Sequence, residues 1–342
     1  MLTAVQDAVQ QLLPAKRKHN SSNGWTSFNA VCCHHNGESQ DTRSRGGIIA
    51  NGNGSVSYSC FNCGFKANYT PGRHLSYKFR KLLRWFGADD GTIKRLVIDA
   101  IRVKDLVAPE TIKEEHQEVV FAPRPLPPGA KTITDLAVWY KLSDYTTVPD
   151  EYYDVLQYLD QRNANLGKYD FYWTPETAYN MHKRVIVPYY WKNQIIGYTA
   201  RAVDSNVKPK YHNQNEPNYV FNVDTQTPDR KFVIVTEGPF DAMAVDGVAI
   251  LGNDCSEVQA DIIDSLGREV IVVPDNDRAG QHLVNQAIEF GWNVSFPVWH
   301  ETCKDVNEAV LKYGKLFVLK AIVDGKETSR LKIELKKKKM NS

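Results

Sequence analysis

The sequence Val233-Ile-Val-Thr-Glu-Gly-Pro-Phe-Asp241 is followed further along the chain by Val270-Ile-Val-Val-Pro-Asp-Asn-Asp-Arg-Ala-Gly280. Each stretch begins with a β-branched run, which predicts a strand buried on both faces, as in a parallel sheet. Glu237, Asp275 and Asp277 then follow the carboxyl ends of the two strands, where open α/β sheets place their sites. Carboxylates gathered there repel one another unless a cation joins them, and oxygen ligands suit Mg²⁺ or Mn²⁺.

The region around these two stretches, residues 231–322, alternates strand-like and helix-like runs. Alternation of this kind predicts an α/β fold with a mostly parallel sheet and flanking helices. Gly291 and Gly314 stand where helices are expected to end. Asp305 follows the last strand-like run, so we expect it near the same edge of the sheet as the other acids.

Two cysteine pairs in residues 1–105 predict a zinc ribbon. The segments are Cys32-Cys-His-His35 and Cys60-Phe-Asn-Cys63, and Gly64 suits a tight knuckle turn. The favoured ligands supply three thiolates and one imidazole, a closed set for one structural Zn²⁺. Cys33 or His34 could ligate in place of a neighbour. The favoured set is Cys32, His35, Cys60 and Cys63.

Composition limits the classes of protein further. The chain has 342 residues, enough for several domains, and a net charge of only +2. Residues 1–105 nevertheless carry an excess of about eight basic over acidic residues. Six cysteines with a paired cluster indicate metal binding in a reducing cytoplasm rather than a disulfide scaffold. No apolar run approaches the length of a membrane span.

Between these regions lie a predicted linker and a second region. Residues 106–130 are charged and then rich in proline, as in an extended tether. Residues 131–230 predict a mixed α+β subdomain, with a hairpin at Trp191-Lys-Asn193. Residues 323–342 form a basic tail ending in Lys336-Lys-Lys-Lys339, and most such tails are solvated and disordered.

The motifs together resemble the bacterial and phage DNA primase family. Glu237-Gly…Asp241, Asp275-Asn-Asp277-Arg-Ala-Gly280 and Lys304-Asp305-Val-Asn307 resemble the Toprim domain that primases share with topoisomerases and some nucleases. The cysteine pairs resemble the zinc-binding domain of those primases. The order Arg-Val-Ile-x-Pro, Ile-Gly-x-x-x-Arg, Pro-Lys-Tyr resembles their basic subdomain, with Arg184, Arg201 and Lys210 in the matching positions.

The resemblance implies a DNA-dependent RNA primase, a nucleotidyltransferase that makes short RNA primers for replication. Asp275 and Asp277 would hold Mg²⁺ or Mn²⁺ with Asp241 and Asp305, and Glu237 would be a metal ligand or a general base. Primases often carry a second acid where this chain has an asparagine at 307. Three basic residues would hold template phosphates or the nucleotide's triphosphate: Arg184, Arg201 and Lys210.

In that family the zinc domain is thought to contact the template strand. Four cations interleaved with aromatic residues would suit this task, because cations neutralise phosphates and aromatic faces stack unpaired bases. The aromatics could equally form the ribbon's small core. The cations are Arg43, Arg45, Lys66 and Arg73, and the aromatics are Tyr58, Phe61, Phe65 and Tyr69.

Two other functions compete with the primase interpretation: a Toprim nuclease or topoisomerase-like enzyme, and a non-catalytic single-stranded DNA-binding replication subunit. The chain has no Gly-x-x-x-x-Gly-Lys-Ser/Thr loop, so the resemblance implies a separate replicative helicase as partner in a primosome. Single-stranded DNA, ribonucleoside triphosphates and a single-stranded DNA-binding protein complete the expected partners. The length and the cysteine and histidine variations look most like T4-type bacteriophage primases, which work in the host cytoplasm.

Overall fold

The computed structural model describes residues 4–20, 24–73, 75–106, 119–142, 148–275, 280–299 and 303–339. These divide into two units, one formed by residues 1–116 with 256–269 and the other by residues 117–255 with 270–342. Asp277 and residues 107–118 of the predicted linker lie outside the described residues. The predicted fold class, a Toprim-type α/β sheet preceded by a mixed subdomain and a cysteine ribbon, is confirmed.

The first unit is built on an antiparallel sheet whose five strands pair in chain order. Alternation along the fourth strand buries Val56, Tyr58 and Cys60 and leaves the serines between them half-exposed. Gly64 adopts a φ of +73°, the left-handed turn expected after the second cysteine pair. The strands are β1 (Arg17–His19), β2 (Thr26–Phe28), β3 (Gly46–Ala50), β4 (Val56–Cys60) and β5 (Lys66–Tyr69).

Helices complete the core of this unit. Ser76 caps the second helix by accepting a hydrogen bond from the Phe79 amide at 3.3 Å. The helix Glu257–Ser265, which comes from later in the chain, begins with a capping box between Ser256 and Gln259. Its Asp264 forms an ion pair with Arg80 of the helix Tyr77–Trp85. The helices are α1 (Ala4–Leu12), α2 (Tyr77–Trp85), α3 (Asp90–Leu106) and, from later in the chain, α7 (Glu257–Ser265).

The second unit contains a five-stranded antiparallel sheet in the order β10-β9-β8-β7-β6. Lys192 and Asn193 have positive φ angles of 50° and 63° in the predicted hairpin turn, which matches the twist of the flanking strands. The elements are β6 (Lys131–Thr132), α4 (Ile133–Leu142), α5 (Asp150–Gln161), β7 (Tyr172–Trp173), β8 (Arg184–Trp191), β9 (Gln194–Ala202) and β10 (Tyr211–Gln214).

The same unit carries the predicted α/β sheet, in the order β12-β11-β13-β14-β15. The β11–β12 and β13–β14 pairs are parallel, and β14–β15 is antiparallel. A Cβ on Gly280 would lie 2.1 Å from the Asp275 carbonyl oxygen, so only glycine fits where the next helix begins. The strands are β11 (Phe232–Thr236), β12 (Val248–Ala249), β13 (Glu269–Val272), β14 (Asn293–Ser295) and β15 (Lys326–Glu327).

Along the described chain, the remaining helices lie between and after the strands of this sheet. Residues 330–339, predicted as part of a basic tail, form a helix whose Ile333 is buried and whose Lys337 donates to Asn285 at 2.7 Å. Within the described ranges, no helix is both long enough and apolar enough to cross a bilayer. The helices are α6 (Pro239–Val245), α8 (Gly280–Phe290), α9 (Val306–Tyr313), α10 (Lys315–Asp324) and α11 (Arg330–Lys339).

Candidate functional site

Four cysteine side chains converge in the first unit. Their sulfur atoms all lie within 4.8 Å of one another, with Sγ–Sγ distances of 3.3 Å for Cys32 and Cys63 and 3.6 Å for Cys33 and Cys60. Tetrahedral Zn²⁺ with Zn–S bonds of about 2.3 Å places sulfurs about 3.8 Å apart, so the cluster fits one structural zinc ion. We call this group the cysteine cluster: Cys32, Cys33, Cys60 and Cys63.

The cysteine cluster differs from the favoured ligand set at one position. Cys33 occupies the place predicted for His35, because a 3-10 helix (Cys33–Asn36) starts at this residue and directs its sulfur to Cys60. The His35 ring instead stacks on Trp85 of α2, with centroids 4.8 Å apart and planes 5° from parallel. The cysteine cluster therefore contains the alternative ligand Cys33, and the choice between Cys33 and His35 stays a prediction.

Polar hydrogens surround the sulfurs, as thiolate ligands require. The Tyr58 hydroxyl lies 3.2 Å from the Cys32 sulfur, and the Asn62 side chain donates to Cys33 at 3.4 Å. Asn36 donates to Cys63 at 3.5 Å. These donors offset negative charge on a buried cluster and fit a bound divalent cation.

The ribbon's aromatic residues divide between core and surface. Tyr58 and Tyr69 are buried, and Phe65 packs edge-on against Trp85 with centroids 4.9 Å apart, so these three belong to the core. Phe61 is 84% exposed on the knuckle between Cys60 and Cys63. Of the four aromatics predicted to stack bases, Phe61 alone has a largely open ring.

In the second unit, acidic residues meet at the ends of β11 and β13. Glu237 directly follows β11, and its Oε1 accepts a hydrogen bond from the Asp275 amide at 3.3 Å. Asp241 lies in the first turn of α6, and Asp305 caps α9 by accepting from the Glu308 amide at 2.8 Å. All four line one cavity of about 660 Å³. We call Glu237, Asp241, Asp275 and Asp305 the acid cluster.

Electrostatic interactions confirm that these carboxylates are close together. Burial and then the charges of Asp305 and Asp275 raise the pKa of Asp241, to about 7 in all. The Asn307 amide, which donates to Asp241 at 2.9 Å, and the charge of Arg162 oppose this rise. Since oxygen ligands crowded in this way are stabilised by a hard divalent cation, the acid cluster fits Mg²⁺ or Mn²⁺.

Asn307, which replaces a second acid, faces a basic residue. Its side-chain oxygen accepts from Arg162 Nη1 at 2.9 Å, and its side-chain nitrogen donates to the Arg162 carbonyl at 3.3 Å. The Arg162 guanidinium also lies over the rings of Tyr158 and Phe240, at 5.5 Å and 5.7 Å. These contacts fix a positive charge beside Asp241.

Four cations line the same cavity as the acids. Burial lowers the pKa of Lys210, and the nearby charges of Arg201, Lys304 and Arg162 lower it further. Arg201 lies 4.6 Å from the centroid of the Tyr211 ring. We call Arg162, Arg201, Lys210 and Lys304 the basic wall. Its charge suits a polyphosphate or a nucleic-acid backbone.

Arg184 is the predicted phosphate-binding residue that the structure does not place in this cavity. Its side chain is completely buried. The guanidinium donates to the backbone carbonyls of Tyr179 at 3.2 Å, Ala200 at 3.2 Å and Pro209 at 2.8 Å. These donors are used inside the protein, where Arg184 links the segments that carry Tyr179, Ala200 and Pro209.

Sequence reasoning missed four cavity residues. Lys304 and Tyr211 were parts of quoted motifs but were given no role, and Tyr158 and Arg162 belong to no motif. The spacing of Tyr158 and Arg162, four residues apart at the end of α5, could have indicated a shared helix face. Tyr211 follows Lys210 directly and lies opposite Arg201 on β9.

The sequence of the cavity's acidic part matches a known domain family. Residues 234–310 match the sequence model of a family described as Toprim-like. This range includes all four members of the acid cluster. No curated protein sequence matches the chain.

Several solved primase structures are similar to the chain. The zinc-binding and RNA polymerase domains of Aquifex aeolicus primase match 96% of this chain and 87% of their own, at 16% identity and a TM-score of 0.38. A DnaG primase catalytic domain bound to single-stranded DNA matches 56% of this chain and 79% of its own, at 18% identity and a TM-score of 0.42. The RNA polymerase domain of Mycobacterium tuberculosis DnaG matches 56% of this chain and 82% of its own, at 17% identity and a TM-score of 0.43.

Proposed function

We propose that this chain is a DNA-dependent RNA primase that synthesises short primers on single-stranded DNA by metal-dependent nucleotidyl transfer. The observation that carries the proposal is the cavity that the acid cluster and the basic wall line together. Nucleotidyl transfer needs both parts, because a cation must activate an oxygen while positive side chains hold the triphosphate. The Toprim-like match over residues 234–310 supports the same reaction class.

Each group of residues has a role in this proposal. A divalent ion held by the acid cluster, together with Asp277, would lower the pKa of the attacking 3′-hydroxyl and offset charge on the departing pyrophosphate. The basic wall binds the triphosphate or the template backbone and orients it toward the acids. Glu237 acts as a metal ligand or as the general base. Tyr211 offers an aromatic face beside Arg201.

The first unit supplies the template contact in this proposal. A zinc ion in the cysteine cluster fixes the knuckle that carries Phe61, whose exposed ring can stack an unpaired base. Arg43 and Lys66 are exposed on the same ribbon and suit phosphates. We further propose that the protein works in a reducing cytoplasm with a separate replicative helicase and a single-stranded DNA-binding protein.

Labelled ribonucleotide incorporation tests the proposal. The full chain is mixed with single-stranded DNA, four ribonucleoside triphosphates and Mg²⁺, with and without a helicase. We expect short RNA products from the wild type, and an Asp275→Asn variant is expected to lose about a hundredfold or more of this activity. Template binding should persist, since Asp275 does not belong to the basic wall. Asp324→Asn, which alters an exposed carboxylate on α10, is the matched control.

Other outcomes would overturn the assignment. Metal-dependent cleavage of DNA without RNA synthesis would identify a nuclease. DNA binding that persists in EDTA with no metal-dependent product would identify a binding subunit. Loss of both template binding and synthesis in Asp275→Asn would mean that the carboxylate supports folding rather than chemistry.

A further inference from the structure

An exposed pair of aromatic rings lies outside the acidic cavity. Tyr179 is 73% exposed, and its ring stacks on His212 with centroids 4.9 Å apart and planes 27° from parallel. Since one face of the Tyr179 ring meets His212 and most of the side chain is exposed, the opposite face is open to solvent. An open, flat ring of this kind can accept another π system.

The backbone at Tyr179 is held in an unfavourable conformation. Tyr179 and Asn180 have φ angles of 54° and 55° within the 3-10 segment Ala178–Lys183. A bulky side chain rarely adopts this left-handed region, where glycine would meet no steric resistance. Such conformations persist when surrounding contacts enforce them, and they concentrate at functional sites.

A buried guanidinium enforces the arrangement. Arg184 Nε donates to the Tyr179 carbonyl at 3.2 Å, and its Nη2 donates to the Pro209 carbonyl at 2.8 Å. One side chain therefore ties the segment that carries Tyr179 to the segment that leads into β10 and His212. Because both rings are fixed before any ligand arrives, little ordering entropy would be lost on binding.

The position of the pair relates it to the cavity. His212 follows Tyr211 on β10, which is the edge strand of its sheet. Successive residues of a strand point to opposite faces, so Tyr211 lines the cavity while His212 and Tyr179 lie on the other face. Lys208 and Lys210 come just before His212 in the chain, and Lys210 belongs to the basic wall. A strand that crosses the β10 edge would meet cations and then the stacked rings.

We propose that Tyr179 and His212 form a stacking platform for an unpaired base of a single nucleic-acid strand that passes over the β10 edge into the cavity. Stacking reads the face of a base without hydrogen bonds to its edge, so the platform is tolerant of sequence. The strand is either template DNA or RNA product, and both share the chemistry of an unpaired base. The inference rests on the proposed function only in naming these two strands.

Binding measurements on the full chain test the platform. Fluorescence anisotropy with labelled oligo-dT and oligo-rU should give a Kd about tenfold higher for Tyr179→Ala than for the wild type. Tyr179→Phe keeps the ring and should stay within about twofold of the wild-type Kd. Tyr153→Ala removes another exposed tyrosine, on α5, and should leave the Kd unchanged. A larger effect on oligo-dT binding would identify the bound strand as template DNA, and a larger effect on oligo-rU binding would identify it as RNA product.

Two further readouts separate binding from structure. The dependence of log Kd on log salt should keep the wild-type slope in Tyr179→Ala, because stacking releases no counterions, whereas Lys210→Ala should reduce it. Oligonucleotides carrying 5-iodouracil should crosslink to Tyr179 in the wild-type protein, which needs no variant.

The outcomes distinguish this inference from the proposed function. Equal Kd values for Tyr179→Ala and the wild type in both arms, or crosslinks that avoid Tyr179, would overturn the platform even if the enzyme makes primers. Crosslinking at Tyr179 with the expected loss of affinity would support it even if no primer synthesis were detected.

Discussion

Replacing Arg184 by methionine should destabilise the second unit and leave phosphate binding unchanged. Sequence pattern predicts that this arginine binds phosphates, whereas the structure buries it completely. Methionine has a similar shape but cannot donate hydrogen bonds. The carbonyls of Tyr179, Ala200 and Pro209 would lose their donors. Arg201→Met, in the basic wall, is the matched comparison.

The size of the effect follows from the contacts. Three hydrogen bonds of 3.2 Å or less involve a charged donor. Each contributes about 1.5–3 kcal/mol, and the cost of burying the guanidinium offsets several kcal/mol of the total. We therefore expect the free energy of unfolding to fall by about 3–5 kcal/mol. With an m-value of about 2 kcal/mol/M, the urea midpoint would fall by roughly 1.5–2.5 M.

Urea unfolding and DNA-binding measurements together distinguish a structural role of Arg184 from phosphate binding. Far-UV circular dichroism gives the midpoint of each variant, and anisotropy at several salt concentrations gives the slope of log Kd. For Arg184→Met we expect the lower midpoint with the wild-type slope in conditions where the protein is folded. For Arg201→Met we expect the wild-type midpoint with a slope reduced by about 1. An unchanged midpoint with a reduced slope in Arg184→Met would refute the structural role.

Two predictions concern other sites. Cys33→Ser should lose the bound zinc, whereas His35→Asn should retain one equivalent, as measured by metal release to a chromogenic chelator. Zinc retained by Cys33→Ser and lost by His35→Asn would show that the His35 imidazole is the ligand. Burial alone would raise the pKa of Asp246, but hydrogen bonds and charges from Lys168 and Lys315 lower it to about 2. Asp246→Asn should therefore cost about 2 kcal/mol of unfolding free energy at pH 7, a difference that vanishes as pH falls from about 4 to about 2; a constant difference in urea titrations across that range would contradict this.

Local signals made much of the fold predictable. The helix predicted over residues 306–313 has these bounds in the structure, because an acid caps its start and Gly314 follows its end. The hairpin at 192–193 was predictable because a short polar segment separates two strand-like runs, and both of its residues adopt the positive φ that such turns need. The convergence of Glu237 and Asp275 followed from a general property of parallel sheets.

The ligand set of the cysteine cluster was not predictable from spacing. Cys33 and His35 both lie within reach of a knuckle, and the choice depends on the 3-10 helix and on Trp85, which belongs to a distant helix. Only the fold brings that ring onto His35. Spacing alone therefore identified a metal site without identifying its fourth ligand.

Long-range contacts also determine where the basic residues Arg184 and Arg162 lie in the fold. β8 is buried along most of its length, so alternation along this strand does not indicate whether Arg184 faces solvent or core. Arg162 acquires its place in the basic wall from Asn307, which is 145 residues away along the chain. Neither relation leaves a local pattern, because both depend on how separate elements meet.

The most direct test of the account is site-specific cleavage by bound iron. Fe²⁺ replaces Mg²⁺ in oxygen-ligand sites and, with ascorbate and peroxide, cuts the backbone close to where it is held. We predict cuts in three separate stretches of one chain, near Glu237–Asp241, near Asp275 and near Asp305, all suppressed together by excess Mg²⁺ and by Asp275→Asn. Cleavage confined to one of these stretches, or cuts that Mg²⁺ does not suppress, would contradict a shared divalent-cation site.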